Sequence, residues 1–226
     1  KSNEIRAIPK LLKMLELSGA LVTIDAMGCQ REIAEQIVAS GADYVLAVKE
    51  NQPTLHKELV FFFADHGTDD FARVNVRRQE TYEHAHGRDE MRFYYLCPVP
   101  DDLQSQERWH QLRAIGMTVN NTVRDGKECI EARYYILSRF ISGKRFAEAV
   151  RTHWAIENRL HWQLDVTFQE DQSRIRKGHA DANFSSLRRT ALSLLKNNHT
   201  KKVGVKNKRL AAALNDDYLT EVLVGK

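Results

Sequence analysis

The sequence ALVTIDAMGCQREIAEQIVASGADYVLAVKENQP, residues 20–53, decides the fold class. Residues 20–25 and 44–48 are short apolar runs rich in β-branched side chains, which indicates two buried strands. Residues 29–41 between them have helical spacing and close with a glycine, as helices commonly do. Because strands joined through a helix run parallel, this stretch predicts an α/β fold with a parallel pair of strands.

The segments on either side of this stretch extend the pattern. Residues 3–17 and residues 53–63 have apolar side chains at helical spacing, so we predict a helix on each side. From about residue 70 to 140 polar and apolar residues alternate, with a turn signal at residues 124–126, which predicts mainly antiparallel strands. Helical patterns then return in residues 143–168, 182–198 and 208–224.

Composition limits the class of protein. The chain has 226 residues, of which 42% are hydrophobic, enough to bury a substantial core. Its three cysteines are far apart and form no CxxC pair, which fits a reducing compartment. No apolar run approaches the ~20 residues of a membrane span. We therefore expect a cytoplasmic protein without a membrane partner, and the start at Lys1 within a helical pattern suggests a piece of a longer polypeptide.

The charge is distributed unevenly along the chain. The formal net charge is +4, yet residues 174–226 contain twelve basic and four acidic side chains. A basic block beside an acidic body suits a polyanion such as nucleic acid, although a solvated helix face with a loose tail is the alternative explanation.

One acid lies on the apolar side of a predicted helix. In RTHWAIENRLHWQLDV, residues 151–166, Glu157 shares a face with Leu160 and Leu164. His153 and His161 flank it at a spacing of four residues. A buried carboxylate needs a cationic partner or a metal ion, and the helix by itself leaves both interpretations open.

A second acid, Asp25, directly follows the first predicted strand. In α/β sheets ligands bind at the carboxyl ends of strands, and small Ala26 and Gly28 leave room beside Asp25. A helix N-cap is the alternative. Because the next helix is predicted to begin only after Cys29, we favour a functional role. Two such acids suggest phosphoryl transfer with two Mg²⁺ ions, a centre that usually takes a third acid.

Two long blocks carry a resemblance to a known family. VTIDAMGCQREIAEQIVASGADYVLAVKENQPTL, residues 22–55, and RTHWAIENRLHWQLDVTFQEDQSRIRKGHADANFSSLRRTALSLL, residues 151–195, resemble the H-repeat-associated transposases, which are DDE-type proteins of bacterial insertion sequences. The resemblance implies a ribonuclease H-like core, double-stranded DNA as substrate, Mg²⁺ or Mn²⁺ as cofactor and self-association on DNA. It implies no small-molecule cofactor.

The same resemblance implies roles for the two acids and a division of the chain. Asp25 matches the second catalytic acid and Glu157 the glutamate, so both are expected metal ligands, and the first acid would precede Lys1. Residues 1–66 would be a partial core without its first three strands, and residues 67–141 a β-rich insertion. Residues 142–226 would hold the glutamate helix and basic C-terminal helices. We expect such a chain to be inactive by itself.

The chain departs from a signature that related transposases often carry around the glutamate. The tyrosine, arginine and lysine of that signature correspond to Val150, His153 and Leu164 here. Contacts to the DNA backbone are therefore expected from neighbouring residues. These candidates are Arg151, His153, Arg159 and His161.

Further DNA-binding candidates follow the second strand and the glutamate helix. Lys49, Asn51 and Gln52 follow residues 44–48, although for Asn51 a polar turn that caps the next helix is the alternative. The others are Arg174, Arg176 and Lys177.

Two other functions stay open from the residues alone. A decayed transposase could bind DNA without cutting it. His153, Glu157 and His161 also have a spacing that suits zinc, so a zinc hydrolase is the second alternative.

Overall fold

The computed structural model describes residues 4–85, 88–156 and 160–225. The strands are β1 Leu21–Ile24, β2 Asp43–Val48, β3 Arg77–Ala85, β4 Arg88–Pro98, β5 Ala114–Arg124 and β6 Lys127–Leu137. The α-helices are α1 Glu4–Met14, α2 Arg31–Ala39, α3 Pro53–Gly67, α4 Gly143–Ile156, α5 Ala180–Asn197, α6 Val205–Leu214 and α7 Asp216–Val224. Shorter segments are the 3₁₀ turns Ala26–Gly28 and Gln106–Arg108 and the π-helical segment Gln163–Thr167.

The strands form a six-stranded mixed sheet in the order β1-β2-β6-β5-β4-β3. β1 and β2 are parallel, as predicted, with Val22 opposite Tyr44. Every other neighbouring pair in this sheet is antiparallel, including β2 with β6, where Leu46 lies opposite Ile136. The mixed α/β class predicted from the sequence is therefore confirmed.

One face of the sheet is covered by the helices of the βαβ stretch and its flanks. Ile33 of α2 and Leu59 of α3 are fully buried in the same cluster as Leu46 and Ile136 of the sheet. Each such side chain contributes roughly 1.5–3 kcal/mol by leaving water. The apolar spacing that predicted these helices is thus the spacing that this core requires.

The opposite face holds α4, which crosses the antiparallel strands. Phe146 is fully buried beside Tyr94 and Tyr135, with its ring centroid 5.5 Å from that of Tyr135. A Cβ atom at Gly116 would lie 2.7 Å from Phe146 Cζ, so only glycine allows this close approach. At the start of the helix, a Cβ at Gly143 would lie 2.5 Å from the backbone oxygen of Arg78.

Two compact units make up the chain, Lys1–His153 and Trp154–Lys226. The boundaries predicted at residues 66/67 and 141/142 stay a prediction. The helix predicted to continue to about residue 168 is α-helical as far as Ile156 and π-helical over Gln163–Thr167, and residues 157–159 lie outside the described part.

The second unit contains α5, α6 and α7. Leu195, Ala212, Tyr218 and Val222 form its core. Within the part of the chain that the structure describes, no helix combines the length and the apolar character needed to cross a membrane.

Candidate active site

Asp25 lies immediately after β1 with an extended backbone, at φ −70° and ψ 177°. Its Oδ1 accepts a hydrogen bond from the Gly28 amide at 3.3 Å and so caps the 3₁₀ turn Ala26–Gly28. We expected Asp25 to lie too far before the next helix to act as a cap. That expectation is corrected, because Asp25 caps this short turn and not the helix. The Asp25 side chain is nevertheless exposed.

The loop after Asp25 is held by two side chains that follow β2. Asn51 donates from Nδ2 to the Ala26 oxygen at 2.5 Å, and Gln52 donates from Nε2 to the Cys29 oxygen at 2.9 Å. Although Gln52 occupies the N-cap position of α3, its amide is directed to this loop. Asn51 and Gln52 therefore fix the conformation of the segment that presents Asp25.

Cys29 ends this loop in a buried position that favours its neutral thiol. The side chain is fully buried, and burial raises the pKa of its thiol to about 12. A thiol with such a pKa stays protonated at neutral pH, and the thiolate is the form that attacks or binds metal. Asp25 is thus the exposed ionisable side chain among residues 25–29.

Lys49 directly follows β2 and is exposed. Its charge interacts with the ion pair between Glu131 and Arg133 on β6. Arg133 donates from Nε and Nη2 to the two carboxylate oxygens of Glu131, at 3.0 and 2.9 Å. The Arg133 guanidinium lowers the pKa of Glu131, and the charge of Lys49 lowers it further. Arg133 was not among the residues predicted from the sequence. Side chains alternate along β6, so Arg133 lies on the same face as Tyr135, which is the face that α4 covers.

His153 of α4 reaches β1. Its Nδ1 is hydrogen-bonded to Thr23 Oγ1 at 3.1 Å, two residues before Asp25 in the chain. His153 was predicted to contact DNA, and that role stays a prediction. The observed contact fixes α4 on the strand that leads to Asp25.

Arg151, two residues earlier on α4, forms an ion pair with a side chain of the antiparallel strands. Its Nη2 lies 2.9 Å from Glu83 Oε2, and Arg92 Nη1 lies 3.1 Å from the same oxygen. Arg151 and, to a lesser degree, Arg92 lower the pKa of Glu83. The DNA contact predicted for Arg151 stays a prediction. In the structure its guanidinium is paired with Glu83.

Glu157 and Arg159 lie outside the described residues, so the structure does not test their predicted roles. Among the residues that are described, no group of three or more histidine, cysteine or acidic side chains is arranged to hold a metal ion. The zinc set proposed from the sequence includes Glu157 and is not tested by this observation.

The other predicted DNA-binding residues lie in the second unit. His161, Arg174, Arg176 and Lys177 are all exposed. Arg176 donates from Nη1 to the neighbouring Ile175 oxygen at 2.8 Å. Exposure is what contact with a large polyanion requires, and the DNA contacts of these residues stay a prediction.

Comparison with known proteins decides the family. The model of the transposase DDE domain matches residues 1–195. The chain belongs to the DDE transposase family. The resemblance predicted from the two sequence blocks is confirmed. Membership of this family implies a ribonuclease H-like fold, and the mixed α/β sheet of this chain agrees with it.

Relatives of this chain are found in Escherichia coli. The "H repeat-associated putative transposase YhhI" of strain K12 is 40% identical over 233 residues, which cover 100% of this chain and 60% of the relative. The "Putative transposase YncI" of strain O157:H7 is 43% identical over 232 residues, which cover 99% of this chain and 57% of the relative. This chain therefore spans about 60% of the length of these relatives. These matches do not favour a zinc hydrolase or a remnant that merely binds DNA.

Asp25 fits a divalent cation of the kind that the DDE family generally uses. A carboxylate offers about four lone-pair positions, and the Gly28 amide takes one of them. Mg²⁺ and Mn²⁺ prefer such oxygen ligands and commonly keep several waters. The exposed Asp25 carboxylate, fixed by its loop, is therefore chemically suited to be one ligand of such an ion.

Proposed function

We propose that this chain provides part of the catalytic centre of a transposase that cleaves and joins DNA at insertion-sequence ends. The observation that carries the proposal is the exposed carboxylate of Asp25, fixed at the carboxyl end of β1 in a member of the DDE family. The cofactor is Mg²⁺ or Mn²⁺. When bound, two such ions activate the attacking oxygen and stabilise the leaving oxygen of an in-line displacement.

Asp25 supplies carboxylate oxygens to this centre. The Gly28 amide orients its Oδ1, and the bonds from Asn51 and Gln52 keep the loop from moving. Such support matters because a displacement of about 1 Å at a catalytic group can cost roughly a hundredfold in rate.

Glu157 supplies the second carboxylate. Support for it comes from the sequence block that surrounds it and from its position in the chain directly after Ile156, the last residue of α4. His153 fixes that helix on β1 through Thr23 and is therefore assigned to positioning as well as to the predicted DNA contact.

A DDE centre takes three carboxylates. Since the chain spans about 60% of its relatives, we assign the remaining acid to a part of the longer protein outside these 226 residues. The 226-residue chain by itself is then expected to bind DNA without cleaving it.

Double-stranded DNA is the substrate, and it is held through its phosphates. Exposed Arg174, Arg176 and Lys177 provide charge for this contact, and Lys49 provides charge near Asp25. Joining two element ends requires two copies to meet on DNA, so self-association belongs to the same proposal.

The proposal is tested in the full-length protein with Asp25→Asn. This change keeps the shape of the side chain and removes its charge, so cleavage of element ends in Mg²⁺ should fall by at least a hundredfold while end binding persists. Asp101→Asn, at an exposed loop position, is the matched control and should cleave normally. Normal cleavage by the Asp25 variant rejects the assignment.

A further inference from the structure

The charged side chains of the loop between α5 and α6 and of the first turn of α6 are all positive. Lys201, Lys202 and Lys206 are all exposed, and we call these three residues the α6 basic surface. Residues 198–214 contain no acidic side chain. An ordinary solvated surface intersperses both signs of charge, so an uncompensated run of this kind indicates an anionic partner.

This loop is fixed by a buried lysine. Lys208 is 7% exposed, and its Nζ donates to the backbone oxygens of Leu195 at 3.1 Å and Asn198 at 2.5 Å. The ammonium group thereby binds carbonyl groups at the end of α5, where a helix leaves such groups unpaired. One of these two charged hydrogen bonds ties Asn198, the first residue of the loop, to α6, and the other ties Leu195 of α5 to it.

A second set of contacts ties the same loop to α7. Asn198 Oδ1 accepts from the Thr200 hydroxyl at 2.9 Å and from the Tyr218 hydroxyl at 3.2 Å. Lys201 Nζ lies 4.8 Å from the centre of the Tyr218 ring, in a cation–π contact. The loop and the first lysine of the surface are therefore held in place before any partner binds.

We propose that the α6 basic surface binds the phosphate backbone of duplex DNA, as a contact separate from Arg174, Arg176 and Lys177. Lysine binds phosphate as a point charge without reading bases, so the contact is independent of sequence. Because the loop is already ordered, little conformational entropy is lost on binding. This inference rests on the proposed function, which makes DNA the partner.

The test compares the salt dependence of DNA binding by variants of the 226-residue chain. Fluorescence anisotropy with a duplex of arbitrary sequence gives the slope of log K against log salt concentration, which changes by about 0.9 for each phosphate contact. Lys202→Glu/Lys206→Glu should flatten the slope by about 2 and weaken binding at low salt. Lys202→Gln/Lys206→Gln should flatten the slope to the same degree with a smaller loss of affinity.

The matched control is Lys10→Glu/Lys13→Glu on α1, where both lysines are exposed. It makes the same change in net charge and should leave the slope close to that of the unmodified chain. An equal effect of both double variants shows that net charge alone acts, and an unchanged slope in the Lys202/Lys206 variants shows that the surface makes no phosphate contact. Either result overturns the inference.

Failure of this inference is distinguishable from failure of the proposed function. If the unmodified chain binds DNA with a steep slope and the Lys202/Lys206 variants match it, the α6 surface alone is excluded. If the unmodified chain does not bind duplex DNA at low salt, both proposals fail together.

Discussion

His153 Nδ1 lies 3.1 Å from Thr23 Oγ1, and this hydrogen bond joins residues 130 positions apart in the chain. It connects α4, the helix that precedes Glu157 in the sequence, with the strand that ends at Asp25. The two elements that lead to the proposed catalytic acids are thus coupled through one polar contact on the sheet.

Thr23→Val keeps the shape of the side chain and removes the hydroxyl. We expect a loss of about 1 kcal/mol in the free energy of unfolding, measured by urea denaturation, because one hydrogen bond is lost. In the full-length protein, cleavage should fall while DNA binding is retained, because α4 is less firmly held. Thr23→Ser should restore the rate, and Thr54→Val at an exposed position serves as control. Unimpaired cleavage by Thr23→Val contradicts a positioning role.

Gly116→Ala introduces a Cβ atom 2.7 Å from Phe146 Cζ in a fully buried contact. Overpacking of this kind costs typically 1–3 kcal/mol, so the denaturation midpoint should fall. Gly67→Ala, where a Cβ would meet nothing within 4 Å, should be neutral or slightly stabilising. Adding Phe146→Leu should recover part of the stability lost in Gly116→Ala. Equal stability of the two alanine variants disproves the close packing of α4 on the sheet.

Glu83 should contribute to stability in a pH-dependent way. Arg151 first, and then Arg92, lower its pKa in the folded state, so the stabilisation is present above the ordinary glutamate pKa of about 4.3 and is lost as pH falls through the lowered value. Glu83→Gln should therefore be less stable than the unmodified chain at pH 7, and the difference should shrink on acidification. The effect is modest because both Glu83 and Arg151 are partly exposed to solvent. Urea denaturation at a series of pH values measures it, with Glu107→Gln as an exposed control. If the stability difference between Glu83→Gln and the unmodified chain instead grows as the pH falls, the prediction is wrong.

Lys208→Met should destabilise the second unit. The change keeps most of the buried side-chain volume but removes the donor to the Leu195 and Asn198 oxygens, and hydrogen bonds from charged groups contribute roughly 1.5–3 kcal/mol. Hydrogen exchange should show lost protection at the end of α5. Lys202→Met, at an exposed position, should change stability by less than about 0.5 kcal/mol. Identical protection in both variants would refute the anchoring role of Lys208.

Local patterns in the sequence were sufficient for the first part of the fold. β1, α2, β2 and α3 agree with prediction because burial leaves a local pattern in each of them. The strands are continuous apolar runs, and the helices have apolar residues at helical spacing. From the sequence, a cap was only the alternative role for Asp25. The turn that it caps could not be predicted, because a three-residue 3₁₀ turn is too short to produce a periodic pattern. Arg133 was missed for another reason, since its importance depends on which strand lies beside β2.

By itself, the sequence determined the α/β class, the helices and strands around Asp25 and membership of the DDE transposase family, because these depend on residue order and spacing. Tertiary structure decided which distant groups meet: Asn51 with Ala26, Thr23 with His153 and Phe146 with Gly116. The physical reason is that these contacts depend on the register of β1 against β2 and on the packing of α4, and both are set by the burial of the whole sheet. No local stretch of residues contains that information.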